Sequence, residues 1–256
     1  MPTSPPRRFW MSSPLLLLHG FLGRGADWDV VRAHLPPHWA VDAPDLPGHG
    51  TAVGLGEDAY SMDGAAARLR ARLGEPADVV GYSMGGRLAL HLAVTHPEAV
   101  RRLVLVSASP GLRTEAEREA RRALDAARAA DLAADPAGFL DRWYRMPLFD
   151  LPDSLRQRLT ADRIAHVDPA EAGRSLAGMG TGAQPSHWDA LHSLAAPTWA
   201  VVGERDAKFV GLARAMAEAG AVREVVLPDV AHGLLAERPE ALAAVLRQGL
   251  GGDGSG

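Results

Sequence analysis

The chain has 256 residues, 47% of them hydrophobic, enough for one large domain with a full core or one core plus a modest insertion. A net charge of −4 lacks the basic excess of nucleic-acid binders. There is no cysteine, hence no disulfide, thiol nucleophile or thiolate metal site, which fits a reducing compartment.

The first residues imitate a secretory signal only faintly. Arg7-Arg8 precedes Phe9-Trp10-Met11, but Ser12-Ser13-Pro14 breaks the apolar run and no small-residue cleavage site follows. No window reaches the roughly 18 apolar residues a membrane span needs. The chain reads as cytoplasmic, with no membrane or nucleic-acid partner. Residues 1–13 and the Gly-rich tail 249–256 read as flexible termini, and the start at Met1 or Met11 stays open.

Short apolar runs then recur, each closed by a turn signal. They cover 15–18, 40–43, 78–81, 103–106, 198–202 and 224–227. Such continuous runs suit strands buried on both faces, as in a parallel sheet. Helical stretches at 62–73 and 86–95 separate them, so the expected architecture is a mostly parallel α/β sheet flanked by helices. Residues 112–186 break the rhythm. The run 114–131 is rich in Ala, Arg and Glu, and Pro136, Pro147, Pro152 and Pro169 punctuate shorter helices after it. The expected organisation is a core of 14–111 and 187–248, with 112–186 inserted as a helical lid.

Gly81-Tyr82-Ser83-Met84-Gly85 matches the G-x-S-x-G turn between a strand and a helix. The flanking glycines let strand and helix approach, and the serine projects at a helix N-terminus whose partial positive charge favours developing anions. A serine needs a histidine for proton exchange and a carboxylate to orient that histidine. Asp206 follows the run 198–202, and His232 lies in a loop after 224–227. The chain order Ser83, Asp206, His232 is that of the α/β-hydrolase fold, and all three fall at C-terminal strand ends. His49 sits in a tight turn and is expected to shape it. His34, His38, His91, His96, His166, His187 and His192 are expected to be surface or packing residues. The loop His19-Gly20-Phe21 and the residue after the serine supply two expected oxyanion-hole N–H groups, those of Phe21 and Met84.

Arg87 lies one helical turn beyond Ser83 on the same face. A guanidinium there needs a buried carboxylate or a ligand. Lys208 stands two residues after Asp206. Arg118, Arg121 and Arg122 are spaced for one helix face, and Glu117 to Arg121 is spaced for a salt bridge. Together the cations point to a small anionic substrate. No metal-ligand spacing or cofactor motif is present. Nothing in the sequence specifies an oligomeric state.

Gly81-Tyr82-Ser83-Met84-Gly85-Gly86-Arg87, Pro110-Gly111-Leu112, Trp143-Tyr144 with Pro147 and Phe149, and Gly203-Glu204-Arg205-Asp206-Ala207-Lys208-Phe209 together resemble the 2-succinyl-6-hydroxy-2,4-cyclohexadiene-1-carboxylate synthases of menaquinone biosynthesis. The resemblance implies a lyase that removes a ring proton and eliminates pyruvate from a tricarboxylate, 2-succinyl-5-enolpyruvyl-6-hydroxy-3-cyclohexene-1-carboxylate. It implies carboxylate binding by Arg87, Arg121 and Arg163, with Tyr82, Trp143, Tyr144 and Lys208 lining the pocket. The triad alone also suits a hydrolase of an ester or a carbon–carbon bond. A non-catalytic binding protein would have no need of Ser83, Asp206 and His232.

Overall fold

The computed structural model describes residues 14–251. Residues 1–13, with both candidate starts, and the tail 252–256 lie outside the described residues. Six parallel strands form one sheet: β1 (Leu15–Leu18), β2 (Val41–Asp42), β3 (Ala77–Tyr82), β4 (Val100–Val106), β5 (Thr198–Gly203) and β6 (Val222–Leu227). Their spatial order is β2-β1-β3-β4-β5-β6. Helices α1 (Asp29–Arg32), α2 (Met62–Arg72), α3 (Met84–Thr95), α8 (Ala207–Ala219), α9 (Leu234–Glu237) and α10 (Pro239–Leu250) accompany the strands. Four more, α4 (Glu115–Ala134), α5 (Pro136–Tyr144), α6 (Asp153–His166) and α7 (Pro169–Met179), intervene between β4 and β5.

The apolar runs are continuous because the central strands feed two cores at once. Leu16 and Leu18 pack on one side of the sheet with Val79, Leu103, Leu105 and Val202. Leu15 and Leu17 pack on the other with Val80, Val104, Val106 and Val201. Successive side chains of a strand point to opposite faces, so a strand buried on both must be apolar at every position. The sheet edges depart from that expectation. β2 is only two residues long, shorter than the run 40–43, and both are half-buried. β6 alternates between buried ends and partly exposed middle residues. An edge strand has one neighbour and less cover, which relaxes the need for apolar residues.

A third, smaller cluster of Leu22, Leu132, Phe139, Leu140 and Ala172 joins the inserted helices to the loop after β1. Prolines start these helices as read from the sequence: Pro136 and Pro169 are first residues, and Pro152 caps α6. At the chain's end, Gly249 and Leu250 complete α10 and are not part of a free tail. Leu250 is buried and its carbonyl accepts from Arg102 at 2.8 Å, which anchors the last turn. No helix among the described residues is long and apolar enough to cross a membrane.

The strand order reverses between β1 and β3. β1 leads to β2 on one side, and β3 leads to β4 on the other. The crevice outside the carboxyl ends of two such strands is where open α/β sheets hold ligands. It receives the His19-Gly20-Phe21 loop from β1 and Ser83 from β3.

Candidate active site

Ser83 is the cap of α3, with φ 52° and ψ −107°. This positive φ is sterically costly for a residue with a Cβ and persists where the surroundings enforce it. Two close approaches do so. A Cβ on Gly81 would lie 2.3 Å from the Gly85 carbonyl oxygen, and one on Gly85 would lie 2.4 Å from that of Leu18. Glycine at both positions lets α3 press against β3 and β1, and the serine is thrown to the apex.

The Ser83 hydroxyl lies 3.2 Å from His232 Nε2. His232 Nδ1 is 2.7 Å from Asp206 Oδ2. A carboxylate cannot donate, so Nδ1 carries the proton and Nε2 is left as the acceptor facing Ser83. Asp206 is fixed in turn, since its other oxygen caps α8 by accepting from the Phe209 N–H at 3.3 Å. Asp206 and His232 are both buried. Aromatic rings enclose the imidazole: Phe209 at 4.6 Å, Tyr82 at 5.6 Å and Phe149 at 5.7 Å between centroids. The inserted segment reaches this loop too, because the His232 N–H donates to the Leu148 carbonyl at 3.3 Å. Burial pushes the Tyr82 phenol well above its ordinary pKa, so it stays a neutral wall beside the base.

The loop after β1 is held by two buried histidines. His19 accepts from the Leu46 N–H at 2.9 Å and donates through Nδ1 to the Gly20 carbonyl. His49 accepts from the Leu22 N–H at 3.0 Å and is directed through Nδ1 to the Pro47 carbonyl. Burial is the largest cause of their lowered pKa values, to about 4 for His19 and about 3 for His49. Both are therefore neutral, as acceptance at Nε2 requires. His49 does shape its own turn, and it also reaches the neighbouring loop. Against Ser83, a Cβ on Gly20 would stand 3.5 Å from the serine Cβ. The N–H groups of Phe21 and Met84 find no acceptor among the described residues. Unpaired backbone donors beside the Ser83 hydroxyl suit an oxyanion.

A cavity of about 700 Å³ opens over Ser83 and His232. Its floor comes from the strand ends and its walls largely from the inserted segment, including Trp143 and Tyr144 of α5 and Phe149 of the loop after it. Arg87, Arg121, Arg128 and Lys208 all line it. Arg87 is buried, and the one hydrogen bond of its guanidinium among the described residues runs from Nη1 to the Met179 carbonyl at 2.7 Å. No carboxylate comes within ion-pair distance of it among the described residues. Burial, then the nearby Arg121 charge, lowers its pKa to about 10, so it remains a cation at neutral pH. The remaining donors of its planar fork suit a carboxylate ligand.

Residues 15–245 match the model of the alpha/beta hydrolase family. The chain is 33% identical to 2-succinyl-6-hydroxy-2,4-cyclohexadiene-1-carboxylate synthase of Serratia proteamaculans, with 91% of each chain covered. It is 34% identical to the enzyme of the same name from an Enterobacter species, over 91% of this chain and 90% of that one. Its fold superposes on MenH from S. aureus with a TM-score of 0.86 at 29% identity, covering 92% of both chains. The chain belongs to the 2-succinyl-6-hydroxy-2,4-cyclohexadiene-1-carboxylate synthase family, within the α/β hydrolases.

In this synthase-family chain the residues expected around the substrate separate into two groups. Tyr82, Arg87, Arg121, Trp143, Tyr144 and Lys208 line the cavity. Arg163 also reaches it, but its charge is already matched. Its terminal nitrogens donate to both Asp27 oxygens at 2.8 and 2.6 Å and to Asp162 at 2.7 Å, and Nε donates to the Tyr144 hydroxyl at 3.2 Å. Burial works against that charge, yet Tyr144 and Asp27 outweigh it and hold the pKa above its ordinary value. Arg163 ties α6 to the loop after β1 and is not a free cation here.

The helix-face reading of α4 is corrected. Arg118 and Arg122 both pair with Glu115 on the outer side. Glu117 does not bridge to Arg121. It closes a capping box with Thr114, which satisfies N–H groups that the start of a helix leaves open. Arg121 pairs with the buried Asp125 at 2.7 Å. The missed cation is Arg128, and the signal was available: 121, 125 and 128 follow the i, i+4, i+7 spacing of one face. Of the other histidines, His91 and His187 form a buried pair at 3.0 Å, and His91 also meets Asp63 at 2.7 Å.

Proposed function

We propose that Ser83, His232 and Asp206 act as the base of a synthase that eliminates pyruvate from 2-succinyl-5-enolpyruvyl-6-hydroxy-3-cyclohexene-1-carboxylate. The observation that carries this reading is the conjunction of a Ser–His–Asp array with a closed-in cationic cavity. Arg87, Arg121, Arg128 and Lys208 face that cavity, while Asp125 is the one carboxylate among the described residues that pairs with any of them. A tricarboxylate supplies the missing negative charge. A neutral ester would leave most of this positive charge desolvated and unmatched, at a cost.

In this reading the Ser83–His232 pair removes the ring proton next to the succinyl ketone. The electron pair passes to the ketone oxygen as an enolate. The N–H groups of Phe21 and Met84 stabilise that oxygen, aided by the α3 N-terminus. The enolate then returns its electrons through the ring double bond, and the carbon–oxygen bond to the enolpyruvyl group breaks. The departing enolate takes a proton and becomes pyruvate, so the proton removed is balanced by the one delivered. Asp206 keeps the imidazole in the tautomer that accepts the proton and stabilises the imidazolium. The inserted helices act as a lid that excludes water from the enolate.

The direct test is pyruvate release when the enolpyruvyl substrate is added to the purified enzyme. Stoichiometric release that fails in Ser83→Ala supports the assignment. Rapid turnover of simple nitrophenyl esters without pyruvate release would assign the same array to hydrolysis instead.

A further inference from the structure

The geometry points to Glu237 as a positioning residue for His232: its carboxylate ties the loop that carries His232 to the loop that carries Asp206, and so sets the imidazole against Ser83. This inference rests on the reading above of Ser83, His232 and Asp206 as one proton-transfer device.

Nothing local asks for a carboxylate at position 237. It is the last residue of α9, where the outward carbonyls of a helix end oppose a negative charge. Its side chain is 6% exposed, and taking a carboxylate out of water costs free energy unless charged or hydrogen-bonding partners replace the water. Burial accordingly raises its pKa, against the Ala231 N–H and the Arg205 charge, which lower it.

Its partners give the reason for the placement. Oε2 accepts from the Ala231 N–H at 3.3 Å and from Arg205 Nη2 at 2.8 Å. Ala231 is the residue before His232, and Arg205 is the residue before Asp206. Oε1 lies over the residue after His232, since a Cβ on Gly233 would stand 3.2 Å from it. One carboxylate thus meets both chain neighbours of the base and a chain neighbour of the group that orients it.

The two loops depend on such a tie. His232 lies between β6 and α9, outside both. Main-chain bonds join the loops nearer the strands: the Glu204 N–H donates to the Leu227 carbonyl at 2.9 Å, and the Arg205 N–H to the Val230 carbonyl at 3.0 Å. Glu237 extends this ladder to Ala231, next to the ring. The 2.7 Å contact of His232 with Asp206 and its 3.2 Å contact with Ser83 both require the two backbones to stay in register. A misplacement of about 1 Å in an active site can cost on the order of a hundredfold in rate. Arg205 keeps Asp150 as a second partner at 2.6 Å, so removing Glu237 loosens the tie without stranding the arginine's charge.

The experiment measures kcat, KM and Tm for wild type, Glu237→Ala and Glu237→Gln. The low-field proton resonance of His232 Nδ1–H, followed by NMR, reports directly on its bond to Asp206. Glu237→Ala is expected to lose about thirty- to a hundred-fold in kcat, with KM within about threefold, since the contacts to the substrate itself are untouched. Glu237→Gln keeps an oxygen for the Ala231 N–H but not the charge for Arg205, and should lose about tenfold or less. The His232 resonance should broaden or move upfield in both variants, and further in Glu237→Ala. Adding Arg205→Ala to Glu237→Ala should cost less than the product of the two single losses, because both remove one shared contact.

A brace with a structural role alone would lower Tm while leaving kcat of the folded enzyme and the resonance unchanged, and that result overturns the proposal. A loss confined to KM overturns it as well. Should Glu237→Ala not fold, Glu237→Gln is judged by the same readouts. If wild type releases no pyruvate, the reaction assignment fails by itself, and the resonance then decides the role of Glu237. A displaced or broadened signal in Glu237→Gln at retained fold upholds the positioning role, and an unchanged one overturns it.

Discussion

The strand ends and the inserted helices build the two halves of the cavity by different physical means. Ser83, Asp206 and His232 are placed by backbone geometry: a forced positive φ, a helix cap and a loop closing a parallel sheet. The inserted helices place their side chains by charge. Arg121 and Arg128 are set by Asp125, and Arg163 by Asp27 and Asp162. The first kind of placement survives side-chain substitution nearby, because the sheet holds it. The second depends on every partner being present. Chemistry and substrate charge should therefore be separable by mutation.

The largest effect should come from the first half. Ser83→Ala and His232→Ala should each lower kcat by on the order of a thousandfold or more, with Tm nearly unchanged. The two residues act as one unit, so the double variant should be little worse than either single one. Single-turnover pyruvate release, with Tm measured alongside, checks both statements. An additive double variant would break the picture of one proton-transfer device.

Arg87 tests where the halves meet, since it rises from the helix that Ser83 caps but faces the cavity. Truncating a buried charged contact costs roughly 2–5 kcal/mol, so Arg87→Ala should lose on the order of thirty-fold to several thousand-fold in kcat/KM. Arg87→Lys keeps the charge without the fork and should regain only part of the loss. The Met179 carbonyl is the one acceptor of its side chain among the described residues, so Tm should fall modestly. A large fall in Tm with unchanged kcat/KM would make Arg87 a structural strut.

These two halves were also unequally legible in the sequence. The strands announced themselves because burial on both faces demands unbroken apolar runs, and the chain order of Ser83, Asp206 and His232 follows from the sheet. β2 was overread because an edge strand obeys a weaker rule. The cations were read by type but not by partner. Asp27 lies 136 positions from Arg163 and carries no local sign of their pairing. The acceptor for Arg87 is a backbone carbonyl 92 positions away, and carbonyls occur at every residue. Arg128 could have been found from its spacing to Arg121, but the reading grouped Arg121 with Arg118 and Arg122, whose partner is Glu115.

The sheet-end half has a pH liability that the charged half does not share. His19 and His49 are buried and neutral, with pKa values lowered to about 4 and about 3. Unfolded histidine titrates near 6.5, so between that value and the folded ones the unfolded chain binds more protons. Stability from these residues is full above pH about 6.5 and declines as the pH falls toward 4. For His19 alone the loss reaches about 3 kcal/mol at most. Denaturant titrations at pH 7.5, 6 and 5 should show a falling midpoint, reduced in His19→Gln. A flat profile across that window would mean that neither ring is held neutral by the fold.

The smallest effect separates two ion pairs that tie α6 to the loop after β1. Asp27–Arg163 is bidentate, with side chains 20% and 7% exposed. Arg24–Asp162 joins the same two elements at 2.8 Å, with side chains 30% and 32% exposed. Water screens the second pair more, so Arg24→Ala should cost at most about 1 kcal/mol. Removing Asp27 leaves the Arg163 charge buried and only partly matched, the costly way to break a pair. Asp27→Asn keeps the shape and should cost about 2 kcal/mol, discounted for the residual exposure and for Asp162 remaining on Arg163. Urea midpoints for the two variants should therefore differ in that order. Added tricarboxylate should recover part of the Asp27→Asn loss, because the freed guanidinium faces the cavity, and none of the Arg24→Ala loss. Equal losses in both variants would show that exposure does not set the strength of this clamp, and the division between geometric and electrostatic placement would lose its support at that point.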